Sequence, residues 1–466
     1  MINVEAVVAD IPHFDTFCSV AKLHKLIQSL DGNANFEVEV AGSSVAGVPI
    51  HHVRYGKGSV KALFVGFPHC KEPVCGLTVY SLLSLLSRGH PELAKADVEW
   101  HIVPCIDPDG ALLNEAWTQQ PVTMESYMRG FYVQAPQDQV DTSFPIRHKK
   151  YLWEHPSKEA QILKGIIDRV LPDYYFSLHN AWTGGVFYML SHDIDHKYHR
   201  ALHDFLRAQS FPIQKQPIWK EVCVQFGIGI SETWSLRKHY DHLERTTAAP
   251  EKALRNFGAT SWDYLEEIKP SALTFIAEMG YALHPDDESQ EGVEGDLRHF
   301  KLRVDADSKY LGTVLLEEWE RVKDEVDHSN PLYRAIIGGG VLPTKDSLNE
   351  GGRPLSLHPT RDVLFNPLHN RRMTKADRFQ ACIVDGGFWG LCHTYQFVRL
   401  LKVSRQTTAV RQATERLENA FSNALAEIQR HVDFDAFRVT DCDTLARVQL
   451  GSGLVVLNSL LENRRA

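Results

Sequence analysis

The chain has 466 residues, a formal net charge of −9 and eight cysteines; its length allows a full catalytic domain plus a second unit, and its acidity argues against general nucleic-acid binding, which needs a basic face. The cysteines form no close-spaced metal pairs and no small-scaffold pattern, which fits reduced thiols in a cytoplasmic protein. The start, Met1-Ile2-Asn3-Val4-Glu5, has no basic segment running into an apolar core, and no run approaches about 18 apolar residues, so neither a signal peptide nor a membrane span is expected.

Ser59 to Gly66 is short, apolar and closed by glycine, which predicts a buried strand. Pro73 suits the first position of a helix carrying Val74, Leu77, Val79, Leu82 and Leu85, because its missing N–H is an orphan there anyway. Between them lies Phe67-Pro68-His69-Cys70-Lys71-Glu72. His69 and Glu72 sit in a strand-to-helix turn at the carboxyl edge of a sheet and supply two of the three protein ligands that a catalytic zinc takes. The best third ligand is His179, which ends a second apolar run, Tyr174-Tyr175-Phe176-Ser177-Leu178. Any one of the 23 histidines taken alone is more often a hydrogen-bonded structural residue; context singles this one out. Thr274 to Ala277 is a further apolar run, and it ends at Glu278.

The acidic, glycine-containing stretch from Pro285 to Asp296 predicts an exposed loop or domain boundary. Beyond it, Leu311, Val314, Leu315, Trp319 and Val322 recur at helical spacing, as do Val410, Ala413, Leu417, Phe421, Ala424, Ile428 and Val432. A long irregular region near 338–372, rich in glycine and proline, fits a lid or binding loop.

In order along the chain, His69-x-x-Glu72, the Asp107-Pro108-Asp109-Gly110 turn, Ser177-Leu178-His179-Asn180 and Glu278 resemble the motifs of the zinc carboxypeptidase family, the metallopeptidases related to carboxypeptidase A. The likeness spans approximately residues 15 to 285. The lead-in from Phe36 to Val40, through Gly47 to Ile50, is also similar to the hairpin before that family's zinc motif. The resemblance implies one zinc ion held by His69, Glu72 and His179, with Glu278 as general base and then acid. It also places Arg129 where the family has a carbonyl-polarising arginine. One departure stands out: the family's Asn-Arg pair, which binds the substrate's terminal carboxylate, is missing from Gln139-Val140-Asp141-Thr142-Ser143-Phe144-Pro145. Arginine's planar fork suits that carboxylate, so Arg147 is a candidate substitute. Asn180 and Tyr264 are the other candidate substrate contacts, although Tyr264 lies in a helix-like stretch where packing serves equally well.

The expected fold is α/β, a three-layer α/β/α sandwich with a mixed sheet over residues 1–290, followed by a mostly helical C-terminal region over 291–466. The expected function is zinc-dependent hydrolysis of a peptide or amide bond, as a metallocarboxypeptidase acting beside a free carboxylate on a specialised substrate. The alternatives are an N-acyl amino-acid or small-amide hydrolase, and a non-catalytic binding protein on the same fold. The expected partner is the peptide or amide substrate, with neither nucleic acid nor membrane.

Overall fold

The computed structural model describes residues 1–217, 219–254, 257–342 and 371–464. The glycine- and proline-rich region expected near 338–372 therefore lies, over 343–370, outside the described residues.

Two compact units are present, and both are discontinuous in sequence. The first comprises Met1–Pro121, Gln137–Ala282 and Val439–Ala466; the second comprises Val122–Pro136 and Leu283–Arg438. The break at Ala282 falls just ahead of the acidic stretch that begins at Pro285. A division at residue 290 is nevertheless too simple in two places. Residues 439–464 return to the first unit because their helix, Cys442–Asn463, is apolar on nearly every side and is buried there. Val122–Pro136 joins the helical unit because Tyr127 stacks on Phe388 and Phe131 packs against Trp389.

The first unit is built on a nine-stranded mixed sheet. Its strands, in chain order, are β1 (Phe36–Ser43), β2 (Pro49–Tyr55), β3 (Val60–Val65), β4 (Val98–Val103), β7 (Tyr174–Ser177), β8 (Phe187–Leu190), β9 (Gln225–Gly227), β10 (Ile230–Glu232) and β11 (Leu273–Glu278), while β5 (Ile146–His148) and β6 (Tyr151–Trp153) form a separate hairpin. The spatial order is β1-β2-β4-β3-β7-β11-β8-β10-β9. At the centre, β4, β3, β7 and β11 run parallel, with Val65 opposite Ser177 and Phe176 opposite Phe275. Side chains buried on both faces explain the unbroken apolar runs of these strands. Helices Val20–Leu30, Val74–Ser87, His196–Ala208 and Cys442–Asn463 pack together as one layer, and Lys158–Val170 with Ser261–Ile268 as another, giving the α/β/α sandwich.

The Cys442–Asn463 helix is long and apolar enough, by length and composition, to cross a membrane, but 83% of its most apolar window is buried inside the protein. It approaches the sheet closely. A Cβ at Gly453 would lie 2.2 Å from the Phe176 ring, so only glycine fits. Tyr174 donates its hydroxyl to the Gly453 carbonyl at 2.9 Å.

The helical unit is formed by Leu297–Val322, Gly387–Val403 and Thr408–Gln429, which carry the predicted apolar stripes inward: Leu311, Leu315, Trp319 and Val322 on the first, and Val410, Ala413, Leu417 and Phe421 on the last, are buried.

Candidate metal centre

The connection after β3 leads to β4 on one side of the sheet, and the chain later continues through β7 and β11 on the other. The crevice beyond β3 and β7 is thus a switch point, where open α/β sheets collect ligands. The turn leaving β3 is tight. Gly66 approaches the Pro104 carbonyl so closely that a Cβ would lie 2.5 Å from it, and Phe67 takes the left-handed φ of 57°. Such backbone strain is held only where the surroundings enforce it. Here the Phe67 N–H donates to Cys75 Sγ at 3.1 Å. The downstream Asp107 turn supports the same loop: Asp107 caps the Pro108–Thr118 helix through the Gly110 N–H, and Asn114 of that helix donates to the Cys70 carbonyl at 3.2 Å.

His69, Glu72 and His179 converge, each offering one ligand atom, with all three atoms within 4.8 Å of one another. The two imidazoles address opposite oxygens of one carboxylate: His69 Nδ1 lies 2.9 Å from Glu72 Oε1, and His179 Nδ1 lies 2.9 Å from Glu72 Oε2. The far nitrogen of His179 is held by Asp141 Oδ2 at 3.2 Å, and Asp141 is itself fixed by the Ser177 hydroxyl and the Ser261 N–H. Two imidazole nitrogens and a carboxylate, with a buried second carboxylate orienting one ring, fit the donor set of a catalytic zinc and its supporting shell.

The charges are strongly perturbed. Burial raises the Glu72 carboxyl, but Lys71, His69 and His179 together hold it well below its ordinary value. Burial pushes His179 down, yet Glu72 and Asp141 outweigh it and hold the ring up at about 10. Glu278, the last residue of β11, is pushed up to about 7 by burial and then by the neighbouring Glu72 charge. Lys71 donates to Glu72 Oε1 at 2.9 Å. Burial pushes the Cys70 thiol well above its ordinary range, which removes it as a nucleophile at neutral pH.

The remaining sequence candidates are engaged as follows. Asn180 accepts from the Val74 N–H at 3.0 Å, and its own backbone N–H donates to Glu72 Oε2 at 3.2 Å, so it braces the ligands. Arg147 on β5 is three-quarters exposed and pairs with Glu154 at 3.5 Å. The Tyr264 hydroxyl donates to Asp168, and Lys164 lies 4.5 Å from its ring centre. Arg129 belongs to the helical unit, where it pairs with Glu125 at 2.7 Å and stacks over Tyr395 and Phe421. Sequence reasoning passed over Asp141. The signal was present, because Asp141 keeps the aspartate of the same segment whose Asn-Arg pair is missing.

No protein-family model matches the chain, and no curated protein matches it. Similar solved structures include a protein from Shewanella denitrificans OS217 assigned as a metallopeptidase, a metallo-carboxypeptidase from Burkholderia cenocepacia and the carboxypeptidase A from Helicoverpa armigera. Their identities to this chain are 12%, 14% and 11%, with TM-scores of 0.38, 0.33 and 0.36. The matches cover 58%, 56% and 60% of this chain, and 88%, 60% and 69% of the other chains.

Proposed function

We propose that this protein is a zinc-dependent hydrolase of peptide or amide bonds, a metallocarboxypeptidase acting beside a free C-terminal carboxylate on a specialised substrate. The observation that carries this reading is the convergence of His69, Glu72 and His179 on one point. Zinc held by these residues would polarise the scissile carbonyl and lower the pKa of a water. Glu278 takes the proton from the attacking water and delivers it to the departing amine nitrogen, work suited to a buried carboxylate beside the ligands. Asp141 holds the His179 ring in register, so that Nδ1 faces the other ligands.

Substrate specialisation is supported by the altered carboxylate-binding segment. Ser143 and Phe144, in the segment that lacks the family's Asn-Arg pair, are buried, and Arg147 is exposed and paired with Glu154. This stretch presents no guanidinium fork to a terminal carboxylate. The test is to incubate zinc-loaded protein with matched free-acid and amidated peptides, beside Glu278→Gln, and to read the product masses. Shortening of free acids alone, reduced by about 10²–10⁴ in the variant, is expected. A protein that retains zinc but shortens neither set would refute the carboxypeptidase reading.

A further inference from the structure

The Cys442–Asn463 helix is apolar along its length, yet it buries Gln449 completely. A buried amide without partners is costly, so both ends of this side chain need accounting for. Its Nε2 donates to the His179 carbonyl at 2.6 Å, and its Oε1 accepts from the Thr78 hydroxyl at 2.7 Å. The amide orientation is forced, because a backbone carbonyl can only accept. Thr78 stands one turn into the Val74–Ser87 helix, which begins directly after the His69–Glu72 loop. One side chain thus ties the turn carrying the third ligand to the helix anchoring the first two. It runs parallel to the direct tie from the Val74 N–H to Asn180 Oδ1. Two other buried polar groups of this helix serve elsewhere: Ser452 meets the Tyr188 hydroxyl at 2.8 Å, and Asn458 holds the backbone of Ile2.

We propose that Gln449 is a positioning residue of the metal centre. It fixes the backbone of His179 against the Val74–Ser87 helix, so that the third ligand keeps its distance from the other two. This rests on the zinc reading above and extends it to a residue 270 positions beyond the ligand that it holds.

The test uses the full chain with Gln449→Glu, which keeps an acceptor for Thr78 and loses the donor to His179. Ser452→Ala, which removes a comparable buried tie from the same helix, is the control. Two readouts are taken: zinc affinity by competition with a chelating dye, and hydrogen exchange of the 174–182 segment in metal-free protein. In Gln449→Glu, zinc affinity falls about tenfold, the lower end of what loss of a supporting partner costs, and exchange of the segment quickens. In Ser452→Ala the melting midpoint shifts while zinc affinity and exchange hold. Unchanged exchange in Gln449→Glu overturns the proposal, as does a loss of zinc affinity equalled by Ser452→Ala. The exchange readout contains no metal, so it decides the positioning role separately from the zinc titration of the wild-type chain, which decides the zinc reading.

Discussion

Two histidine–carboxylate clusters of the first unit are made of the same residue types and behave oppositely. At the metal centre, His179 has a carboxylate on each ring nitrogen, Glu72 and Asp141, whose side chains are 5% and 0% exposed, and the ring is held up at about 10. Toward the sheet's edge, on β1, β2 and β4, Glu39, His52, His101 and Glu99 form a line: Glu39 to His52 at 2.8 Å, His52 to His101 at 3.0 Å, and His101 to Glu99 at 2.8 Å. There each imidazole gives one nitrogen to the other, and Glu39 is half exposed. Burial wins over Glu99 and drives His101 down to about 4. Residue type therefore does not decide the chemistry. Convergent donors with two buried anions on one ring favour a cation, whereas a line in which each ring meets one carboxylate and the other ring does not.

The contrast can be broken most severely at its centre. His179→Ala removes a ligand and is expected to weaken zinc binding by well over the roughly 100-fold that loss of a supporting partner costs. His101→Ala should leave zinc affinity unchanged. Zinc titration of both variants checks this, and equal losses would mean that the two clusters are not distinct.

A second prediction follows from the sign of the His179 shift. Below about 10 the metal-free ring carries a proton, which zinc must expel, so affinity should rise with pH by roughly tenfold per unit between about pH 6 and 8. Calorimetry in buffers of different ionisation heats should register about one proton released per zinc bound. A pH-independent affinity would contradict the charged ring.

The smallest effect belongs to the linear cluster. His101 titrates near 4 in the folded chain and near its ordinary 6.5 when unfolded, so the unfolded state binds the extra proton between those values. The stability it contributes is fully present above about pH 6.5 and is lost as pH falls toward 4, up to ~3 kcal/mol. Denaturant unfolding at pH 7 and pH 5 should show the loss in the wild-type chain and a reduced loss in His101→Gln.

Much of the centre was legible in the sequence because its parts are local. The unbroken apolar runs of β3, β7 and β11 lead directly into the segments that carry His69, His179 and Glu278, and reading them needs no distant partner. Asp141 was half legible, as part of a segment read for what it lacks. Gln449 was not legible, because its partners, Thr78 and His179, lie hundreds of residues away and a glutamine on an apolar helix has no local signature. The return of Cys442–Asn463 to the sheet was hidden for the same physical reason: an all-round apolar helix reads alike wherever it is buried. The placing of Arg129 among Tyr395 and Phe421 also depends on a long-range meeting of aromatic residues.

The discontinuity of the sheet unit sets a timetable for synthesis. A nascent chain has made every strand of the sheet by residue 278, yet the helix that covers Phe176 and Phe205 and supplies Gln449 comes only with residues 442–463. Apolar side chains that this helix covers in the folded chain lack that cover until it is made, and uncovered apolar surface favours aggregation. A chain cut before residue 439 would lose the helix that lies against Phe176 and Phe205, and with it the Gln449 tie to His179.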